Sequence, residues 1–177
     1  EGSCSSGTGK YRLYISLVTG GGSTLLSTTD ETAGTSSEAF GISFTPDGQT
    51  VIFQTRACTN FSSETYAYSV PSTGGNKTKL VGPLSGFAYA LMTKDGKRLI
   101  YKAGVLLSVD ISTTNVITLA EPQGTNEGVI VRLSVDDKRV IYHAKSGDSG
   151  AEIFSVPITG GVPVTINVPL TNFYSAL

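Results

Sequence analysis

One phrase is written three times along this chain. Residues 44 to 53 read FTPDGQTVIF, residues 92 to 101 read MTKDGKRLIY, and residues 133 to 142 read LSVDDKRVIY. Each copy is a short polar turn followed by a branched apolar run. Aligned on the turn, Asp47, Asp95 and Asp136 fall in register at intervals of 48 and 41 residues. A period of that size constrains the fold more than any local preference does, because a unit of forty-odd residues buries its apolar faces only by stacking on its neighbours.

Each unit reads as four short strands. Before the turn, Phe40, Ile42 and Phe44 alternate with Gly41 and Ser43, and the later copies are Ala88, Ala90, Met92 and Val129, Val131, Leu133. Period-two alternation predicts a strand with unlike faces, and small residues beside large ones suit an inner strand near a tapering channel. After the turn come Val51-Ile52-Phe53, Leu99-Ile100-Tyr101 and Val140-Ile141-Tyr142, unbroken apolar runs suited to a strand covered on both faces. Asp-Gly closes the hairpin between them at low steric cost, and Asp137, which replaces the glycine in the third copy, is a weaker choice there.

Third strands follow at residues 66 to 70, 105 to 109 and 152 to 156, then Thr-Gly-Gly turns at Thr73-Gly74-Gly75 and Thr159-Gly160-Gly161, with Thr113-Thr114-Asn115 in the middle unit. Fourth strands are expected at 77 to 81, 116 to 120 and 164 to 168. No useful stretch has the helical period, so almost no helix is expected.

The turn phrase, together with Ile-Phe-Ser-Val-Pro-x-Thr-Gly-Gly at residues 153 to 161, resembles the blade repeat of TolB-like β-propellers. The resemblance covers nearly the whole chain and implies an all-β propeller of four-stranded antiparallel blades. With no Trp, the WD signature of related propellers is missing. Some TolB-like propellers resemble or accompany enzymes, including lyases that bind metal through several histidines and peptidases whose propeller gates a separate catalytic domain. His143 is the sole histidine, so the resemblance does not bring such a metal cluster with it.

The repeats break at both ends. Residues 14 to 21, YISLVTGG, align with YSVPSTGG at 68 to 75, so residues 1–29 read as third and fourth strands of a partial blade. Complete blades are expected over 38–82, 85–121 and 127–168. LTNFYSAL at 170–177 aligns with LSGFAYAL at 84–91 and reads as the first strand of a further blade. Three arrangements satisfy this count: a window on a longer chain forming a larger ring, a four-bladed ring with a defective closing blade, or exchange of terminal strands between subunits. Phe173, Tyr174 and Leu177 are the strand-complementation candidates.

Charged residues make up 15% of the chain, the net charge is −1, and no basic cluster exceeds two residues. That balance argues against nucleic acid and against a polybasic membrane contact. No apolar stretch approaches the roughly 18 residues of a spanning helix. The start at Glu1, without an initiator Met, fits a processed, exported protein or an excised fragment, and an extracellular or periplasmic location is expected.

Cys4 and Cys58 occupy aligned positions and are a disulfide candidate, but a bridge needs Cα atoms within about 7 Å, closer than equivalent loops of adjacent blades usually come. Asn60-Phe61-Ser62 and Asn76-Lys77-Thr78 match the N-glycosylation pattern, which is common by chance.

For catalysis His143 would need partners, and its aligned positions are Gln54 and Lys102. The turn aspartates have a local reason to be there, since Asp caps its own turn. No Gly-x-Ser-x-Gly elbow is present. No catalytic residue, cofactor or metal ligand is therefore assigned. The expectation is a non-catalytic exported scaffold, or a building block of an extracellular assembly, that meets a protein partner or itself through terminal strands and rim loops. The interaction-loop candidates are Arg56, Asn60, Phe61, His143 and Asp148. An accessory or gating domain of a secreted hydrolase or lyase is the alternative.

Overall fold

A computed structural model describes residues 12–28, 37–58, 63–85, 89–121, 131–145 and 151–166. Among these the regular elements are all strands: β1 (Arg12–Ile15), β2 (Thr24–Thr28), β3 (Ser37–Phe44), β4 (Thr50–Cys58), β5 (Ser63–Pro71), β6 (Thr78–Ser85), β7 (Tyr89–Met92), β8 (Arg98–Ala103), β9 (Val105–Asp110), β10 (Val116–Ala120), β11 (Val131–Leu133), β12 (Arg139–Lys145), β13 (Ala151–Pro157) and β14 (Val164–Thr165). They form three four-stranded antiparallel sheets, each with its strands in chain order, and a two-stranded sheet of β1 and β2.

The apolar runs after the Asp turns become the second strands, and their alternate residues serve different neighbours. Val51 and Phe53 pack with Leu13, Leu26, Tyr68 and Val70 in a core shared with the β1–β2 sheet. Ile52, between them, belongs to the core shared with Leu99, Tyr101, Leu107 and Val109 of the second sheet. Ile100 and Leu106 then face Val131, Val140, Tyr142 and Val156 of the third. Each sheet therefore has a backward face and a forward face, and the strand's period of two sorts side chains between them.

Register makes the equivalence explicit. Across the forward faces run three matching rows: Ile52–Ser69–Thr78, Ile100–Ser108–Ile117 and Ile141–Ser155–Val164.

The departures from simple alternation are bulges. Gly41 and Ile42 together oppose the single Phe53, and Gly41 sits at φ +59. In β6, Gly82 and Pro83 oppose the single Tyr66, while Leu80 is a second extra residue. Such insertions re-aim side chains, which explains how the consecutive residues Leu80 and Val81 reach the same core. On the inner strand, Ile42 and Phe44 remain about half exposed, at 52% and 51%.

Candidate functional site

The three Asp turns are built alike. Thr45, Thr93 and Ser134 donate their hydroxyls to Oδ1 of Asp47, Asp95 and Asp136, at 2.6, 2.7 and 2.7 Å. The same Oδ1 atoms accept the backbone N–H of Gln49, Lys97 and Lys138, at 3.0, 3.0 and 3.1 Å. Each hydroxyl also accepts the N–H of the residue that opens the second strand, Thr50, Arg98 or Arg139, at 3.0 Å. The hydroxyl hydrogen bonds first, then those from backbone amides, hold all three carboxyls below their ordinary range.

These groups are turn caps rather than a ring of reactive carboxylates. Asp110 caps the turn after β9 similarly, accepting from the Ser112 hydroxyl and from the backbone of Ser112 and Thr113. The Ser112 hydrogen bond is the main cause of a pKa lowered to about 2.

A group whose carboxyl is lowered by folding stabilises above its ordinary pKa and ceases to do so as pH falls through the lowered value. Thermal stability is therefore expected to fall between about pH 4 and pH 2. Asp110→Asn should have a lower Tm at pH 7 and approach the wild type at pH 2, as circular dichroism melts at both pH values would show.

Neighbouring turns touch one another. A Cβ at Gly96 would lie 2.7 Å from Pro46 Cδ, so the second turn needs glycine against proline. In the next contact Lys94 stands where Pro46 stood, and its backbone N–H donates to Asp137 Oδ2, while its Nζ donates to the Val135 carbonyl at 2.6 Å. Asp137 holds a left-handed conformation, φ +55, at the position of Gly48 and Gly96. The replacement that looks weak from sequence therefore supplies an acceptor at the point where proline gives way to a residue with an N–H. Lys94→Pro should cost about 1 kcal/mol. Asp137→Gly should be close to neutral alone and restore stability in the Lys94→Pro background; additivity in a double-mutant denaturation cycle would refute the coupling.

Between these two turns lies an open cleft of about 550 Å³, lined by Lys94, Lys97, Arg98 and Lys138 and by Asp95, Asp110, Asp136 and Asp137. Its carboxylates are engaged in the caps and in the turn-to-turn bond just described. Among the described residues no three His, Cys, Asp or Glu side chains converge to hold a metal.

Of the residues singled out from sequence, Arg56 and His143 fall on described side chains. Arg56 lies in β4 with its guanidinium carbon 5.5 Å from the centre of the Phe40 ring. His143 is in β12, paired with Ile153 and partly exposed on the forward face of the third sheet. At its aligned positions Gln54 is buried and accepts from the Tyr101 hydroxyl at 3.1 Å, and Lys102 donates to the Gly104 carbonyl at 3.1 Å. Cys58 ends β4, whereas Cys4, Asn60, Phe61, Asp148, Phe173, Tyr174 and Leu177 lie outside the described residues.

Apart from His143, sequence reasoning did not single out the forward face of the third sheet. Ile141 and Ile153 are partly exposed there, and Val164 and Ile166 are 55% and 53% exposed. Their counterparts in the second sheet include Ile100 and Leu106, each 1% exposed beneath the third. At the opposite end of the array Tyr14 pairs with Leu25, and both are exposed, at 48% and 43%, on the side away from the shared core.

The sheets and their stacking define an all-β fold of β-propeller type. Among solved structures, this chain is similar to TolB from Acinetobacter baumannii, with 19% identity and a TM-score of 0.49 over 86% of this chain and 36% of that one. It is also similar to a TolB of Agrobacterium tumefaciens, at 17% identity and a TM-score of 0.45 over 83% and 66%. An oligogalacturonate lyase in complex with manganese matches at 12% identity and a TM-score of 0.52 over 77% and 38%. The chain thus spans just over a third of the first TolB and of the lyase. No family model matches the sequence, and no curated protein matches it. The lyase corrects one expectation: the absence of catalysis does not follow from this architecture, because an enzyme shares it. No helix among the described residues is long and apolar enough to cross a membrane.

Proposed function

We propose that the protein is an exported propeller module that acts as an interaction scaffold, and that its contact surface is the forward face of the third sheet. The observation that carries this reading is the row Ile141–Ser155–Val164, which repeats the row Ile100–Ser108–Ile117 that the second sheet uses to hold the third. A face of this kind is completed by another sheet's backward face. Tyr14 and Leu25 are exposed on such a backward face, so a second copy joined head to tail would complete the forward face.

Light scattering over a concentration series should show association of the wild type. Val164→Glu, at an exposed position, should weaken it at least tenfold while leaving the melting temperature nearly unchanged. A wild type that stays a discrete monomer at high concentration, by scattering and by electron microscopy, would sink the proposal.

The likeness to a lyase favours a second reading, in which this propeller belongs to a secreted polysaccharide lyase or hydrolase. Ultraviolet absorbance of unsaturated product, formed from oligogalacturonate with manganese present, tests its lyase form.

A further inference from the structure

The tripeptide Asn76-Lys77-Thr78 lies wholly within the described residues and meets the acceptor pattern Asn-x-Thr with a residue other than proline in the middle. Gly74 and Gly75, at φ +89 and +125, turn the chain out of β5 just before it and lead it into β6, the outer strand of its sheet. An extended chain places alternate side chains on opposite sides, so Asn76 and Thr78 share one side and Lys77 takes the other. Lys77 folds back onto the protein, its ammonium 4.6 Å from the centre of the Tyr68 ring.

Asn76 and Thr78 are both exposed, as are Gly22 and Val162, which follow the corresponding Gly-Gly turns of the other loops. At Gly75 a side chain would meet nothing within 4 Å. The carboxamide and the hydroxyl that a glycosyl transferase reads are thus presented together on exposed residues.

We propose that Asn76 carries an N-linked glycan, added as the chain is exported. The inference rests on the export part of the functional reading. The donor class is an oligosaccharide linked to a lipid diphosphate. Nδ2 of Asn76 bonds to the anomeric carbon as the carbon–oxygen bond to phosphate breaks; the lipid diphosphate leaves with that electron pair, and Nδ2 gives up one proton to the transferase. Thr78 is the positioning residue, recognised through its hydroxyl. A glycan here projects from the outer rim of the first four-stranded sheet and adds a bulky, solubilising group to it.

The test is to secrete the whole chain from yeast and map its peptides by mass spectrometry before and after peptide N-glycosidase treatment in heavy-oxygen water. The expected result is a hexosamine-containing mass on the Asn76 peptide, removed by the enzyme with conversion of Asn76 to a labelled aspartate. It should persist in Thr78→Ser and vanish in Thr78→Ala and Asn76→Gln. Secreted, folded wild type with Asn76 wholly unmodified overturns the inference. Fractionation of the native host tests export separately: protein confined to the cytoplasm refutes the export reading, and the yeast result still decides whether Asn76 is an acceptor.

Discussion

Gly82→Ala is expected to destabilise the protein by roughly 2–5 kcal/mol, the sum of a positive-φ backbone penalty and overpacking. Gly82 sits at φ +121 inside the β6 bulge, and a Cβ there would lie 2.8 Å from the Thr65 carbonyl oxygen and 3.0 Å from Tyr66 Cα. Both are backbone atoms of the paired strand, so relief requires shifting β5 itself. Gly48→Ala is the internal comparison: φ is +69, but nothing lies within 4 Å, so only the conformational cost of about 1–2 kcal/mol applies. Urea denaturation of the two variants should separate them clearly. Equal effects would mean that crowding against β5 contributes nothing.

The other large effect belongs to Tyr101. Its ring is fully buried between the first and second sheets, and its hydroxyl crosses that interface to Gln54 Oε1 at 3.1 Å. Burial also pushes the phenol pKa up, so it remains a donor across the working pH range. Tyr101→Ala should cost about 3–5 kcal/mol through the cavity it leaves. Tyr101→Phe keeps the packing and leaves Gln54 Oε1 without this donor, at a cost of about 1–2 kcal/mol. Denaturation midpoints that order the three proteins otherwise would refute this account.

The architecture was legible because it is repetitive. Three aligned turns, each followed by a branched run and a Thr-Gly-Gly or related turn, indicate strands of four-stranded sheets even though each run alone is ambiguous. The cap role of Asp47 was legible for a similar reason, since its partners Thr45 and Gln49 are two residues away. Contacts between sheets were not legible. Nothing local to Asp137 announces a bond to Lys94, 43 residues earlier, and nothing in the alternation around Gly41 shows that a side chain there would collide with the Gln54 carboxamide.

Tyr14 and Tyr68 share a strand position in the alignment, yet one is 48% exposed and the other 6%. Sequence equivalence fixes which way a side chain points. What lies opposite depends on the neighbour. The expectation of a protein without catalysis went too far for a related reason: the architecture carries sites that vary independently of it.

The sheets' unlike faces also govern how the molecule comes apart. In a stacked array, stability is close to a sum of unit and nearest-neighbour terms, and a unit held by one interface opens before a unit held by two. The second sheet is held on both sides, whereas the third shares a single described core. Fraying of the third sheet would uncover Ile100, Leu106 and Ile117, another copy of the row that Ile141 and Val164 already display. On the proposed scaffold reading, partial unfolding of the third sheet would replace one contact row with another of the same kind.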